Sequence, residues 1–312
     1  MKEKSMTELN FNLVPGMTEP VEQKMLYELA RIIKLKDDDV IHEFGPFFGR
    51  STYYLAKGLE NNANKQKSNT IHTYDMFQCP IDNNLAPHIY KHARAASVTN
   101  LLEEVNGNLR FIKVFEHYLQ EFISTGIVKC HTKSLEESYP EKGNIALIHI
   151  DSPKRYEDFK YILFRFFPLL RKGSIVIFQD YFYHWSGSLV SAVQLLSEMG
   201  ILKLSFSAAT SLVTEVLEQP DLKLLSELAL KLNDKDMPVI IDRAINAISS
   251  IKIDRRDHFQ PRLNLAKIQL LMASGNYSKA SQEINILLNA NKMNLSHHFH
   301  LSELIGQNFS NS

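Results

Sequence analysis

The sequence predicts a doubly wound α/β domain over roughly the first 215 residues, with an antiparallel hairpin at its end and a small all-helical domain beyond. Three observations carry this. Short apolar runs alternate with helical stretches, which argues for a parallel sheet covered on both faces. Two strand-like runs, 202–206 and 212–217, flank a short Ala-Ala-Thr turn and read as a hairpin. After Pro220 the strand pattern stops.

Residues 20–36 place Met25, Leu26, Leu29, Ile32 and Ile33 at helical spacing. Residues 40–44 read as a buried strand, followed by a turn with Gly45, Pro46 and Gly49 and a helix over 51–59. A second strand spans 70–74 and ends at Asp75. Residues 78–110 are polar with helical character, and a helix follows over about 111–124. Further strands fall at 127–130, 146–150 and 174–178, the last two separated by a helix with Phe159, Ile162, Leu163 and Phe166. Beyond residue 220 only helices are predicted, broken at 236–238, Pro261 and Gly275. The expected domains are therefore 1–219, with an insert at about 78–110, and 220–312. In the last helix Tyr277, Ala280, Ile284 and Leu287 share one face and are expected to point inward.

Composition excludes several classes. Lys plus Arg equals Asp plus Glu at 35 each, so the basic footprint of a nucleic-acid binder is missing. Two cysteines, Cys79 and Cys130, suit a reducing cytoplasm rather than a disulfide scaffold. The first ten residues have no apolar core and do not read as a signal peptide. No run of about 18 apolar residues suggests a membrane span.

The strongest motif is HEFGPFFGRST at 42–52, a strand running into a glycine turn and a helix. Glycines let a backbone take positive φ and approach a ligand closely, and the helix start offers free amides. A pyrophosphate loop would read G-x-G-x-x-G, but this one reads E-x-G-x-x-x-G. Glu43 would repel a pyrophosphate. It could instead hold the loop and a nearby ammonium, as the amino-acid end of S-adenosylmethionine (SAM) requires. The alternative is an ordinary tight turn with an acid at the strand end. Asp75 ends the second strand, where a carboxylate can accept both ribose hydroxyls of an adenosine. Alone it is a common strand-end acid; after this glycine turn it gains meaning.

In order, E-F-G-x-x-x-G-R-S, Y-D-M-F, I-H-I-D-S-P-K-R-Y-E-D-F and L-L-R-K-G-S-I-V-I-F-Q-D-Y resemble class I SAM-dependent methyltransferases. The nearest pattern is the branch of macrocin-type sugar O-methyltransferases and cephalosporin-hydroxylase-like proteins, over about residues 38–200. The resemblance implies a Rossmann-like sheet. It also implies a cofactor site built from Glu43, Gly45, Phe47, Gly49, Ser51, Asp75, Met76, Phe77, Ser134 and Asp151. It further implies Mg2+ held by Asp151, Gln179 and Asp180. Hard cations take oxygen ligands, but relatives often carry two adjacent acids where Gln179-Asp180 stands and a His where Lys154 stands. A lysine there could replace the cation or act as a base.

Asp151, Lys154, Asp180 and His184 are the candidates for handling the acceptor's proton. Tyr181, Tyr183, His184 and Trp185 are expected to line the acceptor pocket. The 78–110 insert, with His88, Tyr90, His92 and Arg94, reads as a lid or as a solvated helix. His297, His298 and His300 read as a helix surface. The piece from Leu265 to Leu288 resembles a tetratricopeptide repeat, with a weaker copy upstream, and is expected to dock on the α/β domain or on another subunit as a homo-oligomer contact.

The function these readings imply is O-methylation of a hydroxylated small molecule, a sugar or secondary metabolite, with no nucleic-acid or membrane partner. Two alternatives remain open: a degenerate methyltransferase-fold scaffold using its helical C-terminus, and a non-methylating, hydroxylase-like relative.

Overall fold

A computed structural model describes residues 13–141, 143–233, 235–289, 297–298 and 300–302. The chain divides into two compact units, Met1–Ser138 and Tyr139–Ser312. Its strands make a mostly parallel seven-stranded sheet and a separate three-stranded sheet.

The first unit runs α1 (Pro20–Ile32), β1 (Val40–Phe44), α2 (Arg50–Glu60), β2 (Ile71–Asp75), β3 (Gln78–Pro80), α3 (Ala86–Ala95), β4 (Glu103–Val105), β5 (Asn108–Arg110), α4 (Ile112–Ser124) and β6 (Val128–Thr132). Its share of the large sheet has the order β6, β2, β1, all parallel. All five residues of β1 are buried, as expected of a strand covered on both faces. α1 begins in a capping box between Glu19 and Glu22, with Pro20 at its first position, and packs on α2. α4 turns Val114, Phe115, Leu119 and Phe122 inward, each buried side chain being worth about 1.5–3 kcal/mol.

The 78–110 insert differs from its helical expectation. Only α3 is an α-helix; β3, β5 and β4 form the small antiparallel sheet. The cause is the Asn106–Gly107 turn, with φ of 51° and 75°. Two left-handed residues match the twist of a hairpin and fix it locally.

Three histidines line up across this part of the sheet. His42 stacks on His72 at 5.3 Å, and His72 on His131 at 5.3 Å. His72 Nδ1 and His131 Nε2 lie 3.0 Å apart in a hydrogen bond. Burial, then the neighbouring His131, lowers the His72 pKa from 6.5 to about 4. Burial, then His72 and His131, holds His42 well below its ordinary value. An unfolded chain takes up protons that these neutral rings refuse. The stability that neutral His72 contributes is thus complete above pH 6.5 and is lost as pH falls towards about 4. His72→Gln should flatten that acid limb, measured as the urea midpoint against pH. An unchanged slope would remove His72 as its source.

The second unit runs β7 (Ile145–Ile150), α5 (Tyr156–Arg165), β8 (Leu170–Phe178), α6 (Gly187–Glu198), β9 (Leu202–Ala208), β10 (Ser211–Val216), α7 (Leu222–Lys231), α8 (Met237–Ile248), α9 (Arg256–Ala273) and α10 (Tyr277–Asn289). Its strand order is β7, β8, β10, β9. β7 and β8 are parallel; β10 is antiparallel to both β8 and β9, so the hairpin is present. α7 opens on Asp221, whose carboxylate accepts from the Leu224 amide at 2.8 Å. α8 and α9 pack on α6, and α10 on α9.

Two expectations fail in the helical region. Pro261 lies inside α9 instead of breaking it. As the sixth residue it lies past the first turn, and α9 continues through it with the bond to the Asp257 carbonyl forfeited. Ala280 and Leu287 are buried and Ile284 packs beside them, but Tyr277 is 62 % exposed. Helical side chains lean towards the N-terminus, so the first residue of α10 projects over the preceding turn. No described helix is long and apolar enough to cross a membrane.

Candidate active site

In the first unit, β1 and β2 lie in parallel register and end beside each other. Glu43 is fully buried near the end of β1, and its Oε2 accepts from Thr52 Oγ1 at 2.5 Å. That bond ties the strand end to the first turn of α2. Between them the Gly45 amide donates to the Tyr74 carbonyl at 3.0 Å, and the Gly49 amide to Pro46 at 2.8 Å. Gly49 caps α2 in the left-handed region at φ 91°. A Cβ there would stand 2.4 Å from Leu119 Cδ2, so the position requires glycine twice over. Phe47 also takes a positive φ of 53° and stacks on Phe48 at 4.2 Å. Ser51 is buried in the first turn of α2, where the leading amides have no helical carbonyl to bond.

Asp75 is half-buried at the end of β2. Its Oδ1 accepts from the Phe77 amide at 2.7 Å, fixing the turn. Met76 is exposed and Phe77 buried. Ser134 lies just past β6, with its hydroxyl on Glu137 Oε2 at 2.9 Å.

Two features of this cluster are illegible in the sequence. Arg50, the first residue of α2, donates to the carbonyls of Val14 at 2.6 Å and Thr18 at 3.0 Å, holding the segment before α1 against the glycine turn. His92 of α3 meets the Phe47 ring edge-on at 6.0 Å, so the insert touches the same turn. Neither contact joins neighbours in sequence.

In the second unit, Asp151 follows β7 and Asp180 follows β8. These strands are parallel neighbours with Ile150 opposite Phe178, so both acids lie at the same sheet edge. Lys154 Nζ stands 2.6 Å from Asp151 Oδ1 and 2.8 Å from Asp180 Oδ2. Thr210 Oγ1 donates to the other Asp180 oxygen at 3.0 Å. Burial raises the Asp151 carboxyl above its ordinary value, with Lys154 pulling the other way. Burial also disfavours the Lys154 cation, but the two carboxylates outweigh it and hold the ammonium above its ordinary value. A lysine so held is a cation and a poor base.

Gln179 is 4 % exposed. Its Oε1 accepts from Ser211 Oγ at 2.5 Å, and its Nε2 donates to Thr210 Oγ1 at 3.3 Å. The oxygen set expected for Mg2+ is therefore occupied from within: the ammonium sits on both carboxylates and the amide is turned onto β10. The residues as placed do not fit a divalent ion.

Residues 42–181 match the model of a family described as a methyltransferase domain. Among solved structures, it is similar to a TDP-rhamnose 3'-O-methyltransferase of calicheamicin biosynthesis. That match has 20 % identity and a TM-score of 0.41, over 62 % of this chain and 77 % of the other. It is similar to the O-methyltransferase NovP at 15 % identity and a TM-score of 0.45, over 64 % and 80 % of the two chains. An O-methyltransferase from Bacillus cereus matches at 14 % identity and a TM-score of 0.38, over 65 % and 83 %. No curated protein matches in sequence.

Downstream of Asp180 the chain places an aromatic loop. Tyr181 is fully buried. Tyr183 stacks on Trp185 at 4.4 Å, and His184 is buried between Trp185 and His300. From α9, the buried Arg262 guanidinium stands 4.7 Å from the Tyr183 ring and donates to His258 Nε2 at 3.0 Å. The histidines near the C-terminus were expected on a surface. His297 is instead fully buried, with Nε2 donating to the His258 carbonyl at 2.6 Å. α9 gives it an acceptor that the sequence could not foretell. Thr210 and Arg262 are the polar groups of this region that sequence reasoning missed.

Proposed function

We propose that this chain moves the methyl group of SAM to a hydroxyl oxygen of a small molecule, a sugar or a secondary metabolite. The observation that carries the reading is the turn between Glu43 and Ser51, locked by the Glu43–Thr52 bond and set beside Asp75 on the adjacent strand. The α2 amides would take the carboxylate of the methionine end, and Asp75 the ribose hydroxyls. The sequence resemblance assigns Ser134 to the adenine side and includes Met76 and Phe77 in the cofactor site.

In the reaction the acceptor oxygen attacks the sulfonium methyl in line. The new C–O bond forms as the C–S bond breaks, and the electron pair stays on sulfur as S-adenosylhomocysteine. The acceptor proton must leave, and Asp151 is the assigned acceptor for it. Lys154 is committed as a cation, and the buried His184 ring is held among Trp185 and His300.

The insert at 78–110 is assigned as a lid, supported by the contact of His92 with Phe47. The helices after residue 219 are assigned as a tetratricopeptide-like support and homo-oligomer contact, supported by exposed Leu222, Leu230 and Val239 on α7 and α8. Two free thiols, Cys79 and Cys130, support a cytoplasmic setting.

Titration calorimetry with SAM and with S-adenosylhomocysteine tests the core of the proposal. Both should bind with one-to-one stoichiometry. Silence with both at millimolar ligand would leave the scaffold reading in its place.

A further inference from the structure

Two carboxylates at one sheet edge repel unless a cation lies between them. Here the cation belongs to the chain. Lys154 is three residues from Asp151, and its Nζ reaches Asp151 Oδ1 at 2.6 Å and Asp180 Oδ2 at 2.8 Å. These are ammonium–carboxylate distances. Mg2+ would need oxygens at about 2.0–2.1 Å in octahedral order, and it would have to displace Nζ to get them. The remaining ligands are spent as well. The second Asp180 oxygen accepts from Thr210, and Gln179 Oε1 accepts from Ser211. Lys154 makes two contacts with its three N–H groups, and no third partner occurs among the described residues.

We propose that Lys154 is the resident cation of this site, holding Asp151 and Asp180 together and presenting its remaining N–H to the acceptor oxygen, so that the chain works without a divalent metal. The charge balance differs from that of a metal centre. Two carboxylates and one ammonium leave a net single negative charge, where a divalent ion would leave the cluster neutral. The cluster thus keeps anionic character with which to draw a proton from the acceptor hydroxyl. Lys154 thus balances the two acids and contacts the acceptor, and only the activity arm of its test rests on the methyl-transfer reading.

The test begins with the wild-type chain, stripped of ions and titrated with Mn2+ under electron paramagnetic resonance, with S-adenosylhomocysteine present. No ion should bind at the two acids. Lys154→Met keeps the apolar stem and removes the charge. It should gain one Mn2+ site, at least about tenfold tighter than anything in the wild type, and a further Asp180→Asn should abolish it. Once an acceptor is found, wild-type turnover should be equal with and without EDTA. Stoichiometric Mn2+ on the wild type, lost with Asp180→Asn, would overturn the proposal, as would turnover that stops with EDTA. A folded Lys154→Met chain that takes up no Mn2+ also counts against it, because the acids would then need no cation. If that variant does not fold, the wild-type titration still decides. Failure to bind S-adenosylhomocysteine would sink the methyl-transfer reading, while the Mn2+ titration without cofactor still judges Lys154.

Discussion

Asp75→Ala is expected to weaken SAM binding on the order of a hundredfold or more, since two charge-assisted hydrogen bonds to a ribose contribute about 1.5–3 kcal/mol each. One Asp75 oxygen already accepts from the Phe77 amide, so alanine also loosens the turn carrying Met76 and Phe77. Asp75→Asn separates the two effects. It can keep the turn through its amide oxygen but presents no second acceptor and no charge. Calorimetric affinities for S-adenosylhomocysteine should therefore fall in the order wild type, Asn, Ala, with little change in the melting midpoint for Asn. An alanine variant that binds within about threefold of wild type would show that Asp75 does not hold the ribose.

Gly49→Ala should damage stability and binding together. Its φ of 91° is hostile to any L side chain, and the new Cβ would meet Leu119 Cδ2 at 2.4 Å and Phe115 Cδ2 at 2.9 Å. Left-handed strain contributes about 1–2 kcal/mol, and overpacking against α4 about 1–3 kcal/mol. Relief by shifting α2 would move the amides of Arg50 and Ser51. The expected result is a lower urea midpoint at unchanged slope, with a parallel loss of affinity for S-adenosylhomocysteine. A variant that unfolds like the wild type would mean that α4 yields freely at this contact.

What the sequence discloses depends on how far apart the interacting residues lie. β7 is a near-continuous apolar run. β1, β2 and the hairpin strands are short stretches rich in apolar residues and bounded by turn signals, and Glu43, Gly45, Gly49 and Asp75 take their meaning from fixed spacing along the chain. α6 escaped because it is buried on nearly every side, from Leu189 to Leu196. A helix covered by α8 and α9 as well as by the sheet side has no polar stripe, so its period does not show. The Asn106–Gly107 hairpin carried a readable local signal, masked by the polarity of its three-residue strands. Thr210, Arg262 and Arg50 could not be found by pattern. Thr210 and Asp180 lie 30 residues apart and Arg50 and Val14 36, while Arg262 joins the distant Tyr183 ring to nearby His258. Lys154 was visible as a candidate cation, but only coordinates show that it spans both acids.

The stacking of Trp185 on Tyr183 gives the protein an optical probe of its own. Trp185 is the only tryptophan in the chain, and it is 41 % exposed, five residues after Asp180. Indole emission, excited selectively at the red edge, therefore comes from one loop and from nothing else. A ring lying over it, or water leaving it, would change its colour and intensity. Candidate acceptors can thus be screened on the unlabelled protein, without knowing the reaction's product.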